Sequence, residues 1–212
     1  TLATNGVMSG TPTAAGTYSF VLRVTDTQGN TGTGPFTVTV APPTIAITPS
    51  TLPDGTVNVA YNQALGATGG FAPHTFTVSA GSLPPGITLV GGALSGTPTT
   101  GGSFTFTIRA ADNSGAPGPY AGTQTYTVAI AKADQSIDFG WQQAQVFSPG
   151  GTFELNPVAI ASSGLPVSYS AVTGAVCSIS GTTVTMLSVG QCQIAATQPG
   201  DASYNGHVFV QG

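Results

Sequence analysis

The stretch LSGTPTTGGSFTFTIRAADNSG, Leu94–Gly115, occurs twice in this 212-residue chain. Its twin is MSGTPTAAGTYSFVLRVTDTQG, Met8–Gly29. Ser9 matches Ser95 and Asp26 matches Asp112, both at an offset of 86 (95 − 9 and 112 − 26). The offset grows to 90 for Phe36 and Tyr126 (126 − 36) and holds at that value for Val40 and Ile130. A repeat of this period implies a serial array of similar small units. It constrains the fold more than any single motif, because one sequence pattern must satisfy one packing scheme at each occurrence.

Within the repeat, the period of the apolar residues is two. Tyr18, Phe20, Leu22 and Val24 alternate with polar residues, as do Phe104, Phe106 and Ile108. That is the signature of a half-buried strand. Phe36, Val38 and Val40 repeat it, as do Tyr126, Val128 and Ile130, and Gly, Asn and Asp fill the turns between. Across residues 42–131 the pattern predicts about seven short strands at 8–12-residue spacing, which reads as an antiparallel sandwich. One of them is expected over VNVAYNQALGATGG. No stretch shows helical periodicity. The expected fold is all-β, with Ig-like antiparallel sandwiches in tandem forming an extended rod.

The two copies are unequal. TLATNGVMSG at the start corresponds to TLVGGALSG at 88–96, so the first copy has no counterpart of residues 42–87. The expected units are therefore 1–41, the C-terminal half of a sandwich; 42–131, a complete one; and 132–212, a third, with or without its last strand. A half sandwich exposes an apolar face and an unpaired edge. Either the chain belongs to a longer array, or another polypeptide completes the fold by strand addition. Tyr18, Phe20, Leu22 and Val24 are the expected interaction edge.

Charge narrows the partners. Only 5% of residues are charged, against roughly 25% in an ordinary domain. Three cations among seven acids give a net charge of −4. Phosphate binding requires clustered Lys and Arg, so no nucleic-acid partner is expected, nor an anionic membrane surface. No apolar run is long enough to span a bilayer, so no membrane insertion of this segment is expected. The N-terminal TLATNGVMSG is not a signal peptide, and an export signal would lie outside this chain. The surface must be built from Ser, Thr, Asn, Gln and Gly, as in secreted and cell-surface proteins.

The run LPPGITL…GALSGTPTTGGSFTFTIRAADNSG resembles the family named Putative Ig domain, a cadherin-like sandwich found in tandem in bacterial surface proteins and haemagglutinins. The resemblance covers residues 1–131, with its core L-S-G-T-P-T-x-x-G-x-[FY]-x-F at Met8–Phe20 and Leu94–Phe106. Residues 132–212 resemble another bacterial Ig-like surface repeat, through Gln135, Ile137, Phe139, Ala161–Val167, Tyr169, Cys177, Cys192 and PGDASYN at 199–205. The resemblance implies a secreted, multi-domain bacterial surface or adhesin-type protein and brings no catalytic residues.

The residues themselves offer few chemical sites. Cys177 and Cys192, on strands expected to face each other across a core, suit a disulfide. A loop of about 15 residues closed in this way stabilises by roughly 3 kcal/mol; two free buried thiols are the alternative. Calcium needs six to eight oxygens, and the weak candidates are Asp26, Asp112, Asp134 and Asp138. Asp26 and Asp112 serve equally as turn caps through bonds to backbone N–H groups, and no cofactor is otherwise expected. Trp141 and Tyr120 are weak candidates for stacking on a glycan, with Tyr61 and Tyr204 beside them. The competing expectation is that Trp141 covers the sandwich end near the linker. GxSxG is absent, and Glu154 is the only glutamate.

The expected function is a non-enzymatic structural or adhesive segment of a secreted bacterial cell-surface or filamentous protein, located extracellularly. Its expected partners are other copies or domains of the same surface protein. Two alternatives remain: a filament subunit completed by inter-chain strand addition to the half domain, and a module that binds carbohydrate or a host protein.

Overall fold

The computed structural model describes residues 1–212 and is built of strands and turns without helices. The repeated motif folds as a hairpin in both copies. Strands β1 (Gly16–Thr25) and β2 (Thr31–Val40) pair antiparallel from Gly16↔Val40 to Thr25↔Thr31. Their twins are the longest strands of the second unit and pair in the same register, from Gly102↔Ile130 to Ala111↔Ala121.

The second unit comprises β3 (Ala46–Thr48), β4 (Gly55–Thr56), β5 (Tyr61–Ala64), β6 (Gly66–Thr68), β7 (Thr75–Gly81), β8 (Ile87–Val90), β9 (Ala93–Gly96), β10 (Gly102–Ala111) and β11 (Ala121–Ala131). One sheet has the order β4-β11-β10-β7, a second β5-β9-β8, and β3 pairs with β6. Alternation sends Phe106, Ile108, Tyr126, Val128 and Ile130 inward, where they meet Tyr61, Ile87 and Leu94 of the facing sheet in one core. A void of about 10 Å³ remains between them, at the lower limit for a single water. On the wet face, Thr105 bonds Thr127 at 3.0 Å and Thr107 bonds Thr125 at 2.9 Å, hydroxyl to hydroxyl across the hairpin.

The SGTP motif closes a tight crossing. Gly96 has φ 143°, and a Cβ there would stand 2.0 Å from the Gly86 carbonyl oxygen. Gly86 in turn has φ 91°, and its Cβ would meet the Thr97 oxygen at 2.0 Å. Only glycine at both positions lets Thr97 N–H reach the Gly86 carbonyl, at 3.1 Å.

One predicted strand is broken. Val57–Ala60 form a turn, and regular strand starts at Tyr61. Val57 is buried and donates its N–H to the Ala131 carbonyl, and Asn58 adopts φ 64°. The alternation read from VNVAYNQ concealed this turn because Val57 and Tyr61 both point into the core.

The third unit contains β12 (Ile137–Asp138), β13 (Thr152–Glu154), β14 (Ile160–Ala161), β15 (Ser168–Ala171), β16 (Cys177–Ser180), β17 (Thr183–Met186), β18 (Ile194–Gln198) and β19 (His207–Gln211). Its sheets are β13-β17-β16, β15-β18-β19 and β12-β14. Ile137, Phe139, Leu155, Cys177, Val184, Ile194 and Ala196 form a second, separate core. Cys177 and Cys192 are joined, with Cα atoms 5.7 Å apart. They do not face each other from two strands: Cys177 opens β16, whereas Cys192 precedes β18 in a segment without regular structure. No helix is long and apolar enough to cross a membrane.

Candidate functional site: the junction of the second and third units

A polar constellation that joins two units is built around PGDASYN, 199–205, the turn between β18 and β19. The turn is shaped by Asp201, whose Oδ1 accepts from the N–H groups of Ser203 (2.7 Å) and Tyr204 (2.8 Å). An aspartate capping its own downstream amides is the physical reason Asp suits this position.

Thus held, the turn reaches back across the linker. Ala202 O accepts from Gly101 N–H at 3.1 Å, and the Ser203 hydroxyl donates to Thr99 O at 2.8 Å. The Lys132 ammonium donates to Asp201 O, and Asn58 Nδ2 donates to the Tyr204 hydroxyl at 2.9 Å. Asn58 is the one non-glycine residue with positive φ; asparagine tolerates that region better than most residues, and strain of this kind marks positions where a side chain must be aimed. The linker itself is paired as a short parallel bridge, Ala133 with Tyr204, through Ala133 N–H to Ser203 O and Asn205 N–H to Ala133 O, both 2.9 Å. Asn205 Nδ2 donates to Asp134 Oδ1 at 2.8 Å.

Beneath the linker lies a buried amide network. Gln135 and Gln198 are among the three buried polar residues. Gln135 Nε2 donates to Gln198 Oε1 and to Asn205 O, each at 2.6 Å, and Gln135 Oε1 accepts from the Ser163 hydroxyl at 2.5 Å. Gln198 Oε1 also accepts from Gly200 N–H. A buried amide is tolerable only when its donors and acceptors are used, and a satisfied network of this kind fixes one geometry.

The remaining candidate residues are dispersed. Asp26 caps its own turn, accepting from Gln28 N–H, Asn30 N–H and Asn30 Nδ2. Those bonds, the Asn30 side chain's first, hold its carboxyl below the ordinary carboxylate value. Asp112 is 4% exposed and joins three segments, accepting from Phe71 N–H, from Ser114 N–H and Oγ, and from Tyr120 N–H. Burial pushes its pKa up, and the bonds from Ser114, Phe71 and Tyr120 together outweigh that, leaving it lowered. Asp138 is exposed on β12. No three His, Cys, Asp or Glu side chains converge; Asp26 and Asp112 accept from donors of this chain at both carboxylate oxygens, and Asp134 and Asp201 at Oδ1.

Tyr61 is buried, its hydroxyl donating to Pro53 O at 2.9 Å. Tyr120 is half-buried beside a cleft of about 210 Å³ that Thr13 and Ala14 share with Phe71 and the 113–117 turn. Trp141 does not cover a sandwich end: it is 78% exposed, because residues 140–151 form no strand until Thr152 and leave the indole at the rim of a groove. Tyr18, Phe20, Leu22 and Val24 lie together on one face of the β1–β2 hairpin rather than along its edge, since alternation dictates the face and the edge is backbone.

Sequence reasoning missed the junction. PGDASYN was visible as a motif, and Asp followed by Ser signals a capped turn, but Asn58 and Tyr204 are 146 residues apart and nothing local links them.

A family model described as Putative Ig domain matches residues 1–41 and 43–131. No curated protein matches the chain. Solved structures of similar arrangement include mouse cadherin-23 EC22-24 (18% identity, TM-score 0.40, 79% of this chain and 65% of that one). Others are protocadherin GammaB4 (14%, TM-score 0.37, 92% and 39%) and human CDH23 EC21-23 (19%, TM-score 0.39, 92% and 72%). The chain thus spans 65% of the first of these and 39% of the second.

Proposed function

This chain belongs to the Putative Ig domain family, and on that premise we propose that it is a non-enzymatic structural segment of an extracellular bacterial surface protein, spacing and displaying what lies beyond it. The observation that carries this reading is the junction. A spacer transmits direction only if its units keep one mutual orientation, and here the 199–205 turn ties Thr99, Gly101 and Asn58 of the second unit to the third by direct hydrogen bonds. A neutral hydrogen bond contributes about 1 kcal/mol net, so several acting together suffice to bias one orientation. The disulfide fits an oxidising compartment, and the low-charge Thr/Ser surface fits the cell exterior. Partners under this reading are further copies or domains of the same surface protein.

Residual dipolar couplings on the intact chain test it. Residues 42–131 and 132–212 are expected to share one alignment tensor, and Asn58→Ala combined with Ser203→Ala is expected to separate them. Distinct tensors in the unaltered chain would refute the spacer reading.

The β1–β2 face favours a second reading, assembly by strand addition. Tyr18 (46%), Val24 (72%), Phe36 (51%) and Val38 (41%) are exposed on a two-stranded sheet, and contiguous apolar surface of that kind marks interaction sites. Under this reading the chain self-associates in a concentration-dependent manner in sedimentation, and Phe20→Ser with Phe36→Ser abolishes it.

A further inference from the structure

Asparagine is followed by glycine twice in the chain, at Asn5–Gly6 and at Asn205–Gly206. The backbone nitrogen after an asparagine can attack that residue's own side-chain carbonyl carbon, and glycine, with no side chain, leaves its nitrogen unhindered. All four residues are exposed. What holds them differs. Gly6 N–H donates to Ala3 O at 3.0 Å, and Asn5 Oδ1 accepts from Val7 N–H at 3.1 Å, so that pair is tied only within its own loop. Gly206 N–H makes no backbone hydrogen bond. Asn205 is tied to the linker instead. Its N–H donates to Ala133 O at 2.9 Å and its Nδ2 to Asp134 Oδ1 at 2.8 Å. The two residues before it, Ser203 and Tyr204, are held by Thr99 and Asn58 of the second unit.

The nucleophile is therefore free, and the electrophile is clamped by the junction. Closing a ring between Gly206 N and Asn205 Cγ requires the Asn205 backbone and side chain to turn. While the junction is shut, the bonds to Ala133 and Asp134 resist that turn, and the grip on Ser203 and Tyr204 keeps the rest of the 199–205 turn from giving way. Once the second unit lets go of the turn, the clamp loosens.

We propose that Asn205–Gly206 is a self-modification site that makes a long opening of the junction irreversible. Gly206 N loses its proton to water and bonds to Asn205 Cγ. The Cγ–Nδ2 bond breaks and ammonia leaves. Water then opens the cyclic imide at either carbonyl, which leaves position 205 as aspartate or as its isomer with the main chain routed through the side-chain carbon. Both products lose the Nδ2 donor and set a carboxylate against Asp134 Oδ1, where like charges at short range disfavour each other. Lys132, the only lysine, is already committed to Asp201 O. The isomer also adds one carbon to the main chain between the Ala133–Tyr204 bridge and His207, where β19 begins. The turn then no longer fits the second unit, and the joint stays open. The device presupposes the closed junction of the spacer reading.

Trypsin cuts after Arg23, Arg109 and Lys132, which puts Asn5 and Asn205 on different peptides. The mass gain of an amide-to-acid exchange can then be timed at each during mildly alkaline incubation of the intact chain. Combining Asn58→Ala with Ser203→Ala should speed conversion at Asn205 by at least about fivefold, the weight of one neutral hydrogen bond, and leave Asn5 unchanged as an internal clock. Equal rates at Asn205 in the altered and unaltered chains would overturn the proposal. In an Asn5→Gln chain, the converted protein separates from the unconverted by its extra negative charge. Residual dipolar couplings of that converted protein should give distinct tensors for residues 42–131 and 132–212, and one shared tensor would overturn the proposal as well. Distinct tensors in fresh, unconverted protein would instead refute the spacer reading, and the device with it.

Discussion

Hairpins β1–β2 and β10–β11 share one register and one alternation, yet they are physically different objects. Phe106, Tyr126 and Val128 are each 2% exposed. Their twins are the half-buried Phe20 and the exposed Phe36 and Val38, at 51% and 41%. Phe20 and Phe36 stack with ring centroids 6.3 Å apart, close to the 5.9 Å of Phe106 and Tyr126. The cross-strand hydroxyl pairs recur too, looser at 3.3 Å for Ser19 and Thr37 against 3.0 Å for Thr105 and Thr127. The local sequence therefore dictates strand, turn, register and cross-strand pairing without any help from the opposing sheet. Burial of the apolar face, the term that stabilises a sandwich, comes only from the strands that precede the hairpin in the second unit.

The comparison can be broken at the aromatic pair. Phe106→Ala should cost about 3–5 kcal/mol, the usual range for emptying a core aromatic site. Phe20→Ala should cost no more than about 0.5 kcal/mol, as at a surface position. Urea unfolding of the full chain, with exchange assigning each transition, checks both. Equal losses would mean that the β1–β2 face is covered in solution.

Glycine at the SGTP motif gives a second, smaller contrast. Gly96→Ala drives a Cβ into the Gly86 carbonyl, and overpacking of this kind costs about 1–3 kcal/mol. Gly10 has nearly the same φ, 150°, but a Cβ there would meet nothing nearer than Thr1 N at 3.9 Å. Gly10→Ala should therefore leave the unfolding midpoint of the second unit unmoved, and only backbone strain local to residue 10 should register.

The smallest effect concerns acid. Asp26 and Asp112 both have lowered pKa values in the folded chain. A lowered folded value means the carboxylate contributes stability above its ordinary pKa, about 3.9, and that contribution fades as pH falls through the lower folded value. Asp112 joins Phe71 and Tyr120 to the end of β10, so its protonation loosens the second core; Asp26 bonds only Gln28 and Asn30. Between pH 4 and pH 2, Asp112→Asn should flatten the acid loss of second-unit stability, and Asp26→Asn should not.

Most of the fold was legible because strand alternation and turn chemistry are local. The repeat predicted both hairpins, and the turn roles of Asp26 and Asp112 were legible from Asp at a strand end. The errors share a cause. Val57–Ala60 looked like strand because both ends of the turn are anchored in the core; Cys192 looked like strand because it precedes one. Tryptophan is usually covered, but Trp141 lies in the strandless stretch 140–151 and stands exposed at the rim of a groove. The junction rests on contacts between Asn58, Thr99 and the 199–205 turn, and no periodicity within one segment encodes a partner in another.

Amide hydrogen exchange on the intact chain tests the central contrast most directly. Amides at 104–110 should exchange only by opening of the second core, whereas their twins at 18–24, in the same ladder but without a covering sheet, should exchange orders of magnitude faster. Comparable protection at the two sets, in dilute and monomeric protein, would contradict the account: it would mean that the hairpin alone, without its covering strands, suffices to hold this fold.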